Sequence, residues 1–276
     1  MNFLNLPGKH RSQDSSYRVI PAPYEGNTTY GDGQSDAPKA VIEASHHLEY
    51  YDAQTHTEPY QAGILTTNPA NDHESIHDRV SNVDFDEAFP VILGGDHSVT
   101  IPAVNALPSD VDVIIFDAHA DMRYSWKGSN TNHACVTRRL SASRDITLLG
   151  SRSMDKAEYE AIQDSASVSL ARPTDIPSHI VDNLGPKVHV SIDVDCFDPS
   201  IISQTGTSVP GGLTYQEVTR QLREIFDTHE VVSVDIVEFA PNVSEPSRRR
   251  VESFTLARLT YHVFGMFSTC SDSTRT

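Results

Sequence analysis

The stretch "VDVIIFDAHADMRYSW", Val111 to Trp126, opens as a run of apolar, mostly β-branched residues and then sets Asp117, His119 and Asp121 within five positions. An unbroken apolar run of this length suits a strand covered on both faces, as helices cover a parallel sheet. Ionisable groups at its end then stand where the carboxyl edges of parallel strands converge and ligands bind. Spaced i, i+2 and i+4 on an extended segment, the three side chains share a face.

Similar short runs recur at Tyr17–Ile20, Ala62–Thr66, Pro90–Leu93, Ile146–Leu149, Ser167–Leu170, Val188–Ile192 and Val231–Val237. Strands such as "VIIF" and "VVSV" read as apolar on both faces. Between them the periodicity and start signals predict helices over Ala37–Tyr51, His73–Ala88, Ser98–Leu107, Met154–Asp164 and Thr214–Asp227. Thr214 followed by Glu217 fits a capping box, each side chain answering a backbone N–H of the first helical turn. The alternation predicts an α/β fold with a largely parallel sheet. Pattern alone allows an open three-layer sheet or a closed eight-stranded barrel. No Pro/Gly/Ser-rich linker divides the chain, so residues 1–276 are expected to form one domain.

Composition narrows the function classes. A formal charge of −17 argues against a nucleic-acid partner, which needs clustered Lys and Arg; Arg248 to Arg250 is too short a run to reverse it. Lysine is confined to Lys9, Lys39, Lys127, Lys156 and Lys187, and so acidic a surface would suit high salt, where self-repulsion is screened. The N-terminus lacks the apolar core of a secretory signal, and no stretch of eighteen apolar residues suggests a membrane span. Cys135, Cys196 and Cys270 are odd in number and lack CxxC spacing, so reduced thiols are expected. The expectation is a soluble, cytoplasmic protein whose field draws a small cation.

Four clusters follow predicted strands: Asp96 and His97 in "LGGDHSV"; Asp117, His119 and Asp121 in "FDAHAD"; Asp193, Asp195 and Asp198 in "SIDVDCFDPS"; Asp235 and Glu238 in "VDIVEFAP". In isolation "GGDHS" reads as a glycine turn into a helix, and either Asp-rich cluster as a calcium loop or a solvated strand end. Brought together without matching Lys or Arg, these carboxylates would repel one another strongly, and divalent cations resolve the conflict. Imidazole and carboxylate donors without thiolate favour Mn²⁺ or a similar hard ion over structural zinc. Carboxylates can bridge, so the set can hold a pair of ions.

The sequence resembles the ureohydrolase family, which includes arginase and agmatinase. The resemblance covers nearly the whole chain and is carried by "GGDHS" (Gly94–Ser98), "DAHAD" (Asp117–Asp121), "SIDVDCFDP" (Ser191–Pro199), "TGTSVPGG" (Thr205–Gly212) and "DIVEFAP" (Asp235–Pro241). It implies a three-layer αβα sandwich with a mostly parallel eight-stranded sheet, two Mn²⁺ per subunit and a homo-oligomer, commonly a trimer or hexamer. One ion would take His97, Asp117, Asp121 and Asp193; the other would take Asp117, His119, Asp193 and Asp195. Asp117 and Asp193 would bridge. In the family's reaction, water activated between the metals attacks a guanidinium carbon, and the adduct collapses to urea and an amine. Asp121 would pass the proton to the leaving nitrogen, Glu238 and Thr207 would hold the guanidinium, and His133 would shuttle protons near the mouth. Asp198 and Asp96 read as turn residues beside ligands, and Arg152 as packing against the site.

Family members differ in how they grip the far end of the substrate. Arginases typically place an Asn two residues beyond the DAH-motif Asp, where this chain has Arg123, and follow their histidine with Gly, where it has Ala134. "NHACVTRR" and "GNTTYG" (Gly26–Gly31) are closely similar to archaeal-type agmatinases. Agmatine, giving putrescine and urea, is therefore the expected substrate, with arginine, guanidinobutyrate and aminopropyl-agmatine as alternatives. Arg123 suits a carboxylate-tailed guanidine or an outward-facing loop, and Asp155 a contact with a distal amine or a helix cap. A deacetylase-type hydrolase would need a tandem histidine pair, which is absent, and a non-catalytic relative would have lost ligands, none of which is missing.

Overall fold

A computed structural model describes residues 1–26, 28–171 and 184–274, with side chains as far as residue 270. Asn27, inside the Gly26–Gly31 stretch, lies outside the described residues. The expected strands all form: β1 (Tyr17–Ala22), β2 (Ile64–Thr66), β3 (Phe89–Gly94), β4 (Val111–Phe116), β5 (Ile146–Leu149), β6 (Val168–Ala171), β7 (Lys187–Asp193) and β8 (Glu230–Val237). They make one sheet in the order β2-β1-β3-β8-β7-β4-β5-β6, and every pairing is parallel. β2 and β6 stand unjoined at its two edges, so the sheet is open rather than a barrel.

Helices cover both faces. α1 (Ala37–Ser45), α6 (Tyr215–Thr228) and α7 (Pro246–Thr274) pack on one side. α2 (His73–Ser81), α3 (Thr100–Asn105), α4 (Val136–Leu140) and α5 (Lys156–Gln163) cover the other. β4 shows the division: Ile114 and Phe116 enter the first core, Val113 and Ile115 the second. This is the three-layer αβα arrangement.

The helix limits differ from the sequence expectation for local reasons. α1 ends at Ser45, not Tyr51: Ser45 Oγ donates to Ile42 O and accepts from Leu4 N, and the next N–H groups drop to i−3 carbonyls. α2 ends at Ser81, not Ala88, where Asn82 Nδ2 donates back to Asp78 O. The predicted Ser98–Leu107 helix is a 3₁₀ turn over His97–Val99 continued by α3. Thr214 does cap α6 in a reciprocal capping box with Glu217. α4 and α7 have no counterpart in the sequence reading. From Leu259 to Met266 every residue of α7 is buried, so that stretch offers no amphipathic rhythm to detect.

One strand expectation is corrected. "VVSV" in β8 is not apolar on both faces, since Ser233 and Asp235 point into the sheet surface shared with His189 and Ser191 of β7. The opposite face of β7 is Val188, Val190 and Ile192, so the strand alternates strictly between hydrocarbon and polar side chains.

Candidate active site

The four clusters follow β3, β4, β7 and β8, which are the four adjacent strands at the centre of the sheet. The chain leaves β3 and re-enters the sheet three places away as β4, and β7 and β8 later fill the two-strand gap. Ligands bind at such a switch of strand order. After β3 the chain passes so close to Tyr24 that a Cβ at Gly95 would lie 2.0 Å from Tyr24 O. Glycine alone fits, and the tight passage turns His97 into the sheet edge. Asp121 (φ 48°) and Glu238 (φ 67°) both adopt the left-handed region that non-glycine residues avoid, and such strain collects at functional sites.

Six groups converge at this edge. His97 Nδ1 lies 3.1 Å from Asp117 Oδ2, 3.1 Å from Asp121 Oδ2 and 3.3 Å from Asp193 Oδ2. His119 Nδ1 lies 2.8 Å from Asp195 Oδ2 and 3.6 Å from Asp117 Oδ1. Two compact donor groups that could each hold a metal ion result: His97, Asp117 and Asp121, and Asp117, His119 and Asp195. Asp117 belongs to both and turns one oxygen toward each. Asp193 faces the first group through Oδ2, while its Oδ1 accepts the Asp195 N–H at 2.9 Å.

The donor chemistry fits cations. His97 Nδ1 is buried and has no hydrogen-bond partner among the described residues, although three carboxylate oxygens surround it. Its other nitrogen explains the orientation. Ser191 Oγ donates to Asp235 Oδ1 (2.6 Å), so it accepts from His97 Nε2 (3.1 Å), which turns Nδ1 toward the convergence point, where a bound cation would take its lone pair. Asp235 Oδ2 meets His189 Nε2 at 3.0 Å, and His189 Nδ1 meets Ser233 Oγ at 2.7 Å. All of these side chains are buried. The sequence reading missed this relay, whose signal was the alternation of polar residues along "HVSID" and "VSVDI".

Charge on the protein's own groups is poorly balanced here. Burial, reinforced by Asp117, pushes Asp121 up to about 7, and burial with Asp195 nearby raises Asp193 well above the carboxylate range. Burial also raises Asp195. Burial opposes ionisation of Asp117 too, but the two histidines outweigh it and hold that carboxyl down. The same carboxylates overcome the burial of His97, raising it well above its ordinary value, and take His119 up to about 12. Two divalent ions, at +4, would neutralise Asp117, Asp121, Asp193 and Asp195.

Above these donors lies a cavity of about 360 Å³, within the range of small-molecule sites. Its walls include Glu238, Thr207, His133, Gln34, Trp126 and Asp155. Glu238 Oε1 accepts the His97 N–H (2.7 Å) and Oε2 the Gln34 amide (3.3 Å), and burial pushes its carboxyl up to about 8. Gln34 escaped the sequence reading because a lone glutamine in "GDGQSD" carries no spacing signal. Thr207 Oγ1 stands 3.5 Å from His119 Nε2. His133 Nε2 meets Thr29 Oγ1 at 2.7 Å, and burial lowers its pKa, favouring the neutral ring.

The neighbouring residues sort themselves. Asp96 is buried and accepts from Gly26 N and Ser98 N, and Asp198 accepts from Ser200 N and Gly211 N, so both fix turns. Arg152 braces the site from below, donating to the carbonyls of Asp195 (2.8 Å), Val209 (2.7 Å) and Gly150 (3.1 Å). Asp155 lines the cavity while capping α5, accepting Glu158 N at 2.9 Å.

A sequence model of the arginase family matches residues 15–265. The chain belongs to the arginase family. An N(1)-aminopropylagmatine ureohydrolase of Synechocystis is 34% identical, over 95% of this chain and 92% of its own length. An agmatinase of Pyrococcus horikoshii is 32% identical, over 92% of this chain and 93% of its own. The crystal structure of an agmatine ureohydrolase of Thermoplasma volcanium superposes with a TM-score of 0.85 at 30% identity, covering 99% of this chain and 96% of that one. This arginase-family protein is thus a ureohydrolase with the α/β architecture of that family, and its Asp/His clusters stand at the edge expected of a binuclear enzyme. Among the described residues no helix is long and apolar enough to cross a membrane.

Proposed function

We propose that this ureohydrolase cleaves agmatine to putrescine and urea with two Mn²⁺ ions, a step of polyamine synthesis. The ions would be held by His97, Asp117, Asp121 and Asp193 on one side and by Asp117, His119, Asp193 and Asp195 on the other. The observation that carries the reading is the shared Asp117, whose two oxygens face two separate His-containing donor groups beneath a cavity walled by a buried carboxylate. Hard oxygen and imidazole donors without thiolate favour manganese.

A guanidinium is planar, always charged and rich in N–H donors. Glu238 offers it the remaining lone pairs of a carboxylate fixed by His97 N and Gln34, and a cation beside it restores the ionised form that burial disfavours. Thr207, across the cavity, would steady a second nitrogen. Bound ions would supply a nucleophile from water at neutral pH. Asp121, which lines the cavity beside the donor groups, would take a proton and return it to the leaving amine nitrogen. His133, neutral and anchored by Thr29, would shuttle protons near the mouth, taking to solvent the separate proton released when water ionises. Asp155 supplies negative charge where a distal ammonium would lie. The same reading carries the expectation of a cytoplasmic homo-oligomer, trimer or hexamer.

The Synechocystis relative favours a second reading in which aminopropyl-agmatine is the substrate. Urea release from agmatine, aminopropyl-agmatine, arginine and guanidinobutyrate by Mn²⁺-loaded protein separates them. The highest kcat/KM is expected for agmatine. A higher value for another guanidine would reassign the substrate, and no urea from any would overturn the reading.

A further inference from the structure

The loop that leaves Asp121 runs along the cavity wall and is tied down at each step. Met122 N donates to Glu158 Oε1 (3.2 Å) and Arg123 N to Ala134 O (3.1 Å). The Arg123 side chain is held by three contacts of its own. Its Nη1 lies 3.1 Å from Asp155 Oδ2 and its Nη2 3.5 Å from Glu158 Oε2, while its guanidinium carbon sits 4.5 Å from the centre of the Trp126 ring. Trp126 Nε1 in turn donates to Thr29 Oγ1 (3.0 Å), the group that meets His133. Arg123, Trp126, Asp155 and Glu158 all line the cavity that holds Glu238 and the metal-donor groups.

This arrangement answers which end group the outer cavity reads. The Arg123 guanidinium is forked between two carboxylates and stacked on an indole, so its charge is already answered within the chain rather than held open for a substrate carboxylate. Nor are the carboxylates free to take several ammonium groups. Glu158 is buried and accepts the N–H groups of Asp155 and Met122 besides facing Arg123. Asp155 is half exposed and shares one oxygen with Arg123. Two negative charges less one positive leave this rim a net −1, which matches a single distal ammonium.

We propose that Arg123 is the specificity-determining residue of the tail subsite: an internal cation that occupies the place of a second substrate ammonium between Asp155 and Glu158. The subsite then favours guanidines with one distal amine over longer, doubly cationic polyamine tails, and it does not serve as a carboxylate receptor. This rests on the ureohydrolase reading above and adds to it a reason, in this chain's own residues, for choosing agmatine over aminopropyl-agmatine. The second ammonium of the longer tail meets the Arg123 charge instead of an open carboxylate, so the discrimination is electrostatic and weakens with added salt.

The test compares kcat/KM for agmatine, aminopropyl-agmatine and arginine in the wild type, Arg123→Gln and Arg123→Lys, each at low and high ionic strength. Removing the charge in Arg123→Gln should move the agmatine to aminopropyl-agmatine ratio toward the longer substrate by about five-fold, through KM, as expected for a partly exposed charge pair. Arg123→Lys, which keeps the charge, should hold the wild-type ratio, and it reads the proposal even if the glutamine variant folds poorly. An unchanged ratio in Arg123→Gln, or a changed one in Arg123→Lys, overturns the proposal while leaving the ureohydrolase reading intact. Selective loss of arginine turnover in Arg123→Gln would make Arg123 a carboxylate receptor and also overturn it. Absence of urea from every substrate in the wild type would instead sink the underlying reading.

Discussion

Asp121 sits 3.1 Å from His97 Nδ1, in a left-handed backbone conformation, with its carboxyl pushed up to about 7 by burial and by Asp117. Those properties separate two tasks that one residue type can share, holding a cation and moving a proton. Asp121→Asn keeps an oxygen for the first and abolishes the second. The variant should retain most of its Mn²⁺, measured by metal analysis after dialysis, while kcat falls about a hundred-fold or more. Turnover close to wild type would remove Asp121 from proton transfer. The six donors and Glu238 were legible in the sequence because short motifs set them at or just past strand ends, whereas Thr207 and His133 are pointed to only by the resemblance to ureohydrolases. Gln34, Ser191 and His189 were not legible, since their importance comes from what the fold sets against them: Gln34 against Glu238, and Ser191 and His189 against Asp235.

At the level of elements, α7 is the largest feature that the sequence concealed. Its buried face is fastened by polar contacts as well as hydrocarbon: Asp52 is fully buried, with His262 Nδ1 at 2.6 Å and Arg258 Nη2 at 3.2 Å. Burial opposes the Asp52 charge, but the His262 contact and the hydrogen bonds from Gln54 N and Thr55 outweigh it, so its pKa falls below the ordinary carboxylate value. A folded value below the unfolded one means that ionised Asp52 stabilises the protein from the ordinary carboxylate range upward. That stabilisation is lost as pH falls through the folded value. Asp52→Asn should therefore cost about 3 kcal/mol in urea unfolding at pH 7, and its deficit should shrink as the wild type loses the charge in acid. A deficit that stays constant from pH 7 into the acid range would show that the Asp52 charge is not what holds α7. The strands, by contrast, were legible to within two residues at each end, because each is a short apolar run closed by turn residues. α1 and α2 were legible at their starts but not at their ends, where Ser45 and Asn82 side chains stop the helices through contacts invisible to periodicity.

For the whole molecule, strand order is the fact that motifs do not state. Nothing in the spacing of "GGDHS", "DAHAD", "SIDVD" and "DIVE" says that their strands are adjacent, yet the order β3-β8-β7-β4 sets them side by side and aims all four at one edge. Parallel crossovers make this possible, since α3 carries the chain from β3 to β4 and α6 from β7 to β8, each returning it to the same edge. The result is a pair of donor groups joined through Asp117 beneath a single cavity. Urea release from agmatine, followed while Mn²⁺ is titrated into metal-free protein, tests this joint arrangement directly. The account predicts activity that requires the second equivalent and saturates at two per chain. Full activity at one equivalent, or no urea at any loading, would contradict it.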